Sequence, residues 1–326
     1  MSPEIEITPF TEGHLLDMWR LWKAQYTEEL SVSEALPASW SLKGEEIRAF
    51  LRKSAASKYF VVAKIGGRVV GHMLFQVFPF HGETTAFCSI TGHAERVGMR
   101  GEVLEALYTH LSERLVADGV RSHCITFFAH DDVIEKTAFQ LGFGMIVIDA
   151  FRGAGAIGTV QGSRIRQATM ADLETVRALG EESCGYYRSA PIFLVRKKEQ
   201  ADEYYARYLG NPDRALFLAF SGSQAVGFMS VCRGEGLNYY DLSDTETALI
   251  DEMGAYIKPG HRGRGLGKAL LAECIGWCQR SQIQRIHVDF ESANLAARSF
   301  WLRHFAETAR SVRRAVYKDI AHGVGN

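Results

Sequence analysis

The chain has 326 residues, 37 basic against 38 acidic side chains and a formal net charge of −1. That length favours two domains, each able to bury a core. The balanced charge argues against nucleic acid or an anionic membrane surface as partner, because affinity there needs a net basic face. The opening MSPEIEITPF lacks a basic region followed by an apolar stretch, and no run approaches the roughly 20 apolar residues of a membrane span, so a soluble, cytoplasmic protein is expected.

In chain order, IEITPFTEGHLLDMW reads as a short strand followed by a threonine and acidic residues suited to capping a helix. VVAKIGGRVVGHML, residues 61–74, reads as a hairpin whose glycines supply the positive φ of its turn. ITGHAERVGMRGEVLEAL then gives a turn into a helix, and a later helix ends before LGF at 141–143. FRGAGAIGTVQGSR at 151–164 has the glycine-rich, patternless composition of a linker.

Beyond it the plan recurs. RIRQATMADLETVRAL echoes the first strand and helix, and LFLAFSGSQAVGFMS echoes the hairpin, with Val70-Gly71 returning as Val226-Gly227. The expected organisation is therefore 1–150, a linker at 151–163, and 164–326. Each half alternates strands, hairpins and crossover helices, a mixed α/β (α+β) order. The six cysteines, Cys88, Cys124, Cys184, Cys232, Cys274 and Cys278, form no CxxC pair, so reduced core thiols are expected and a metal site is not.

The most informative stretch is KPGHRGRGLGKALL, residues 258–271. TALIDEMGAYIKP before it reads as a strand, and Leu266, Leu270, Cys274, Trp277 and Cys278 after it share one face at helical spacing. A glycine-rich strand-to-helix turn places free N–H groups and the positive end of a helix dipole where an anion can sit. Register excludes a Walker A loop, since Arg262 and Ala269 occupy its glycine and Ser/Thr places, and excludes GxGxxG, since Lys268 or Leu270 falls on its third glycine.

Arg262, Gly265 and Gly267 do fit Q/R-x-x-G-x-G/A, and here the chain resembles the GCN5-related N-acetyltransferase (GNAT) superfamily. The resemblance implies two tandem GNAT-like domains, each a twisted mixed, mostly antiparallel sheet flanked by helices, with the loop around the pyrophosphate of acetyl-CoA. The cofactor positions it implies are Ala255, Ile257, Arg262, Gly263, Arg264, Gly265, Leu266, Gly267, Lys268 and Asn294. Asn294 and Ala297 match the family's N-x-x-A-x-x-x-Y helix, but Trp301 stands at the tyrosine that often protonates the departing thiolate, and an indole has no usable proton to give. The N-terminal half reads as a degenerate copy. Aligning Arg96 and Gly101 with the outer motif positions puts Met99 where Gly265 is, and Asp131 or Asp132 replaces Asn294.

Acetyl transfer to a primary amine, charged at neutral pH, needs a base. Asp251 lies where several family members carry a catalytic carboxylate, with Glu252 as the neighbouring alternative. The acids of NYYDLSDTETALIDE, 238–252, would attract a cationic acceptor, although a solvated acidic loop explains the same charges and is the preferred reading. The activity expected is a direct N-acetyltransferase, monomeric or homodimeric, acting on a small-molecule or peptide amine. The alternatives are a non-catalytic acyl-CoA-binding regulatory module and an enzyme for mycothiol-type or antibiotic amines, since the layout is also similar to that of the mycothiol synthases.

Overall fold

The computed structural model describes residues 4–158, 162, 164–195, 202–250 and 253–317. The chain folds as two compact units. The first holds β1 (Glu6–Pro9), α1 (Leu15–Val32), α2 (Gly44–Lys53), β2 (Phe60–Ile65), β3 (Arg68–Leu74), β4 (Gln76–Phe80), β5 (Glu83–Cys88), β6 (His93–Glu95), α3 (Arg100–Ala117), β7 (Ser122–Phe128), α4 (Asp132–Gln140) and the start of β8 (Gly144–Gly153). The second holds β9 (Arg164–Gln167), α5 (Leu173–Tyr187), α6 (Asp202–Ala206), β10 (Arg214–Ser221), β11 (Gln224–Arg233), β12 (Thr247–Ile250), β13 (Ala255–Ile257), α7 (Leu266–Arg280), β14 (Arg285–Glu291) and α8 (Leu295–Trp301). The last strand, β15 (Ala306–Ala315), lies from Glu307 onward in the first unit.

In unit 1, β1-β2-β3-β6 form an antiparallel ladder, and β4-β5-β7-β15 a second one in which only β5 and β7 run parallel. In unit 2 the order is β14-β12-β11-β10-β9, antiparallel except for the parallel pair β12 and β14, with β13 also on β11. Both hairpins turn where the sequence places them. Gly66 and Gly67 join β2 to β3, and Gly222 joins β10 to β11, all with positive φ. The first helices start alike, the Thr11 N–H donating to His14 Nδ1 and the Thr169 N–H to Asp172 Oδ2. Apolar side chains of α3 and the strands, such as Leu104, Leu107, Val61 and Met73, fill the core of unit 1; Leu179, Tyr205, Leu216, Leu218 and Phe228 fill that of unit 2. The α7 face read from spacing is the buried one.

Two features depart from the sequence-based division. Residues 151–153 continue β8 instead of starting a linker, because Phe151 is buried and packs its ring 4.8 Å from that of His287. Two stretches of the second half also belong to unit 1. From Glu307 onward the chain pairs with β7, Ala309 opposite Phe128, while Tyr239, in the short stretch Asn238–Leu242, stacks on Phe50 at 4.3 Å. Among the described residues no helix is long and apolar enough to cross a membrane. Five of the cysteines are buried, and burial pushes the Cys278 thiol up to about 12, so these thiols pack and do not react.

Candidate functional site

The site in unit 2 begins at a break in strand pairing. β11 pairs Cys232 with Leu249 of β12 and Met229 with Ala255 of β13, so the chain from Leu249 to Ala255 is twice as long as the β11 segment it faces. The surplus is a bulge at Gly254, which has φ +65° and whose carbonyl accepts the Ser230 N–H at 2.9 Å. β12 keeps β14 on its far side, but among the described residues no strand lies beyond β13. Lys258 donates its N–H to Val226, so alternation turns the peptide groups of Ala255 and Ile257 to that uncovered edge. On that edge the Ile257 carbonyl accepts from Arg262, and the Ala255 peptide groups and the Ile257 N–H remain turned outward, where an extended amide-containing ligand can bind.

The loop after β13 supplies the next wall. Gly263 and Gly265 have φ +75° and +80°, which an L side chain adopts only with strain. Gly265 is the N-cap of α7, and among the described residues no side chain caps the helix, leaving its first N–H groups open to a ligand. Gly267 is required by packing instead, since a Cβ there would sit 3.0 Å from the Phe300 ring. Arg262 turns back, donating from Nε to the Ile257 carbonyl at 2.9 Å and lying 4.3 Å over the Tyr186 ring.

Asn294, 4% exposed, forms the opposite wall as N-cap of α8, its Oδ1 accepting the Ala297 N–H at 3.2 Å and the Tyr186 hydroxyl at 3.4 Å. Between these parts lies a cavity of about 530 Å³, within the usual range for a small-molecule site. Its cations are Arg262, Lys268 and Arg303, and no carboxylate appears among the described lining residues. His304 also lines it, held below the usual imidazole range by burial and by the charges of Arg152, Lys268 and Arg303. The rest is largely apolar or aromatic, including Met229, Leu270, Phe300 and Trp301. One region is thus arranged for an anion and the remainder for an uncharged arm.

Ala255, Ile257, Arg262, Gly263, Gly265, Leu266, Gly267, Lys268 and Asn294 line this one cavity; Arg264 is exposed and does not. Asp251 and Glu252, the two candidate bases, lie outside the described residues. Sequence reasoning passed over His261, Arg303 and His304, which carry no motif, and read the tyrosines of CGYY as lying where the family's substrate-facing first helices fall or else as packing residues. Two of the acids between 238 and 252 have local work. Asp241 accepts the Asn238 amide, and Asp244 accepts the Glu246 N–H and the Thr247 hydroxyl. None of the described ones lines the cavity.

Comparison with known proteins agrees with this geometry. Residues 182–305 match the model of the Acetyltransferase (GNAT) family. That segment is similar to a GNAT domain. Among solved structures, a GCN5-related N-acetyltransferase from Sphaerobacter thermophilus matches with TM-score 0.58 at 12% identity, covering 95% of each chain. A tandem GNAT protein from the clavulanic acid biosynthesis pathway matches with TM-score 0.50 at 15% identity, covering 96% of this chain and 98% of that one. A GNAT acetyltransferase from Colwellia psychrerythraea matches with TM-score 0.50 at 12% identity, covering 96% and 100%. At these identities the shared property is the fold, a tandem GNAT-like layout. No curated protein sequence matches the chain.

Proposed function

We propose that unit 2 binds acetyl-CoA and transfers its acetyl group to a primary amine. The observation that carries this reading is the start of α7, capped by left-handed Gly265 in a cavity whose charged lining among the described residues is cationic and which continues along the open edge of β13. A CoA thioester presents the matching sequence of parts, a diphosphate followed by an arm with two amides. The helix start and Lys268 suit the first, and the Ala255 peptide groups, the Ile257 N–H and Asn294 suit the second.

In the reaction the amine nitrogen attacks the thioester carbonyl, the C–S bond breaks, and the amine proton must leave. An alkylamine with pKa about 10 needs a base to be nucleophilic at neutral pH. Asp251, which follows Ile250 in the chain just before the bulge, is the proposed base, with Glu252 the alternative. Trp301, buried in the cavity wall, donates no proton, so the thiol, whose pKa is about 8.5, leaves as thiolate or collects the amine's proton. With Asp241 and Asp244 engaged in local turns, the proposal specifies an amine without requiring further positive charge on it.

Thiol release from acetyl-CoA over a panel of amines tests the reading. Wild type should turn over at least one amine, and Arg262→Ala or Asp251→Ala should lower that rate by about 100-fold or more, in the range of general-base contributions. Wild-type rates in both variants would refute the residue assignment. Trp301 favours a second reading, a non-catalytic acyl-CoA-binding module. Tight acetyl-CoA binding without transfer to any amine would select it.

A further inference from the structure

We propose that Tyr186 is a positioning residue for the acyl donor, its ring holding the loop and its hydroxyl holding Asn294, so that one side chain registers both ends of the cavity. The inference rests on reading unit 2 as an acyl-CoA site. Arg262 is tied to β13 through Nε and the Ile257 carbonyl, and its guanidinium lies 4.3 Å over the Tyr186 ring, within the cation–π range. Tyr186 therefore fixes where the loop leaves the strand, just ahead of the two left-handed glycines.

At its other end the Tyr186 hydroxyl donates to Asn294 Oδ1, which also accepts the Ala297 N–H. An amide oxygen has two lone pairs. With both engaged, what Asn294 has left to offer the cavity is its NH2 group, a donor suited to a carbonyl of the ligand's arm. Removing the hydroxyl frees the amide to turn over and present an acceptor instead.

Unit 1 contains the same tie in different chemistry. Counting along the chain from the two capping threonines, Thr11 and Thr169, Glu28 of α1 falls at the place of Tyr186. Glu28 pairs with Arg100, and Arg100 pairs at 3.0 Å with Asp131, the N-cap of α4 and counterpart of Asn294. In unit 1 the link from the first helix to the later N-cap runs through two side chains, Glu28 and Arg100, whereas in unit 2 Tyr186 alone touches both the loop and the N-cap. Only in unit 2 is the connection made of an aromatic ring and an amide around an open cavity.

Calorimetric titration of wild type, Tyr186→Phe and Tyr186→Leu with acetyl-CoA and with ADP, which has a diphosphate and no arm, separates the two functions. Tyr186→Phe keeps the ring over Arg262 and loses the hydroxyl. It should weaken acetyl-CoA about three- to tenfold, the worth of one hydrogen bond, and leave ADP affinity and thermal unfolding unchanged. Tyr186→Leu should weaken both ligands. In an Asn294→Ala background Tyr186→Phe should have no further effect on acetyl-CoA, because the group it orients is gone. Acetyl-CoA binding of Tyr186→Phe equal to wild type, or full additivity with Asn294→Ala, overturns the proposal while leaving the acyl-CoA site standing. Failure of wild type to bind acetyl-CoA overturns both.

Discussion

Glu95 of β6 stands opposite Gly71, as Ile257 of β13 stands opposite Gly227, and the next residue in each unit closes the strand, Arg96 on Val70 and Lys258 on Val226. From there unit 2 spends residues 258–265 before its helix and unit 1 only residues 96–99, half as many. The caps differ accordingly, left-handed Gly265 against Met99 with φ −138°. Where unit 2 has apolar or aromatic lining, unit 1 has charge. Glu95, fully buried, replaces Ile257 and accepts from Gln25 and His93; Arg100 replaces Leu266; Asp131 replaces Asn294. The same frame holds a ligand-sized space in one unit and ion pairs in the other. Loss of the motif in unit 1 therefore means that the loop has been shortened and its space refilled.

The largest effect should come from unpicking that refilling. Arg100→Leu installs the residue unit 2 has at this place and strips a cation from Asp131, whose carboxyl is 7% exposed. Removing one partner of a buried pair costs about 3 kcal/mol or more, so chemical denaturation should show unit 1 destabilised by that amount, with acetyl-CoA binding in unit 2 unchanged. A second equivalent of bound acetyl-CoA in the variant would show that the short loop was never the obstacle.

The converse exchange is Gly265→Met, which copies the cap of unit 1 into unit 2. At φ +80° a side chain costs about 1–2 kcal/mol in strain and occupies the approach to the bare N–H groups. Acetyl-CoA affinity should fall about 100-fold or more. Because unit 1 offers no alternative loop, binding should disappear instead of halving to a second class of site. Retention of one full equivalent at near wild-type affinity would move the donor site out of unit 2.

How much of this the sequence revealed follows from where the constraint is local. The loop of unit 2 is legible because left-handed glycines at a helix start leave few residue choices, and Asn294 because an N-cap is a short-range pattern. The register in unit 1 is not. Matching motifs aligns Arg96 with Arg262, whereas the strand hydrogen bonds align Arg96 with Lys258. A stretch rich in arginine and glycine fits either way, and only the ladder reveals the missing residues. Nor does the sequence of β15 state which unit its edge will meet, or that of Tyr239 and Tyr240 that their rings pack against Phe50 and Phe87 of unit 1. Tyr186 could be read only as substrate-facing or packing, because its partners, Arg262 and Asn294, are distant in sequence and meet only in the fold.

The smallest predicted effect concerns the interior of unit 1. His72 is fully buried with neither ring nitrogen hydrogen-bonded, and burial followed by the nearby His93 lowers its pKa to about 3. A folded-state value below the unfolded 6.5 means that the unfolded chain binds the proton more readily, so this contribution is fully present above 6.5 and lost as pH falls. His93 works in the opposite sense. Burial disfavours its charge, but Glu95 at 2.9 Å outweighs that and raises its pKa, giving stability that is complete below 6.5 and lost as pH rises through the folded value. Glu29 and Asp131, both raised chiefly by burial, add to the trend of His93. Total stability therefore mixes signs, and the difference between wild type and His72→Leu isolates one of them. Between pH 7 and 5.5 the variant should gain about 1 kcal/mol on wild type, read as slower hydrogen exchange along β3 in unit 1 with β11 in unit 2 unaffected. Parallel pH profiles for the two proteins would mean that His72 is solvated or paired in solution, and that the charge filling unit 1 is less closed than its hydrogen bonds suggest.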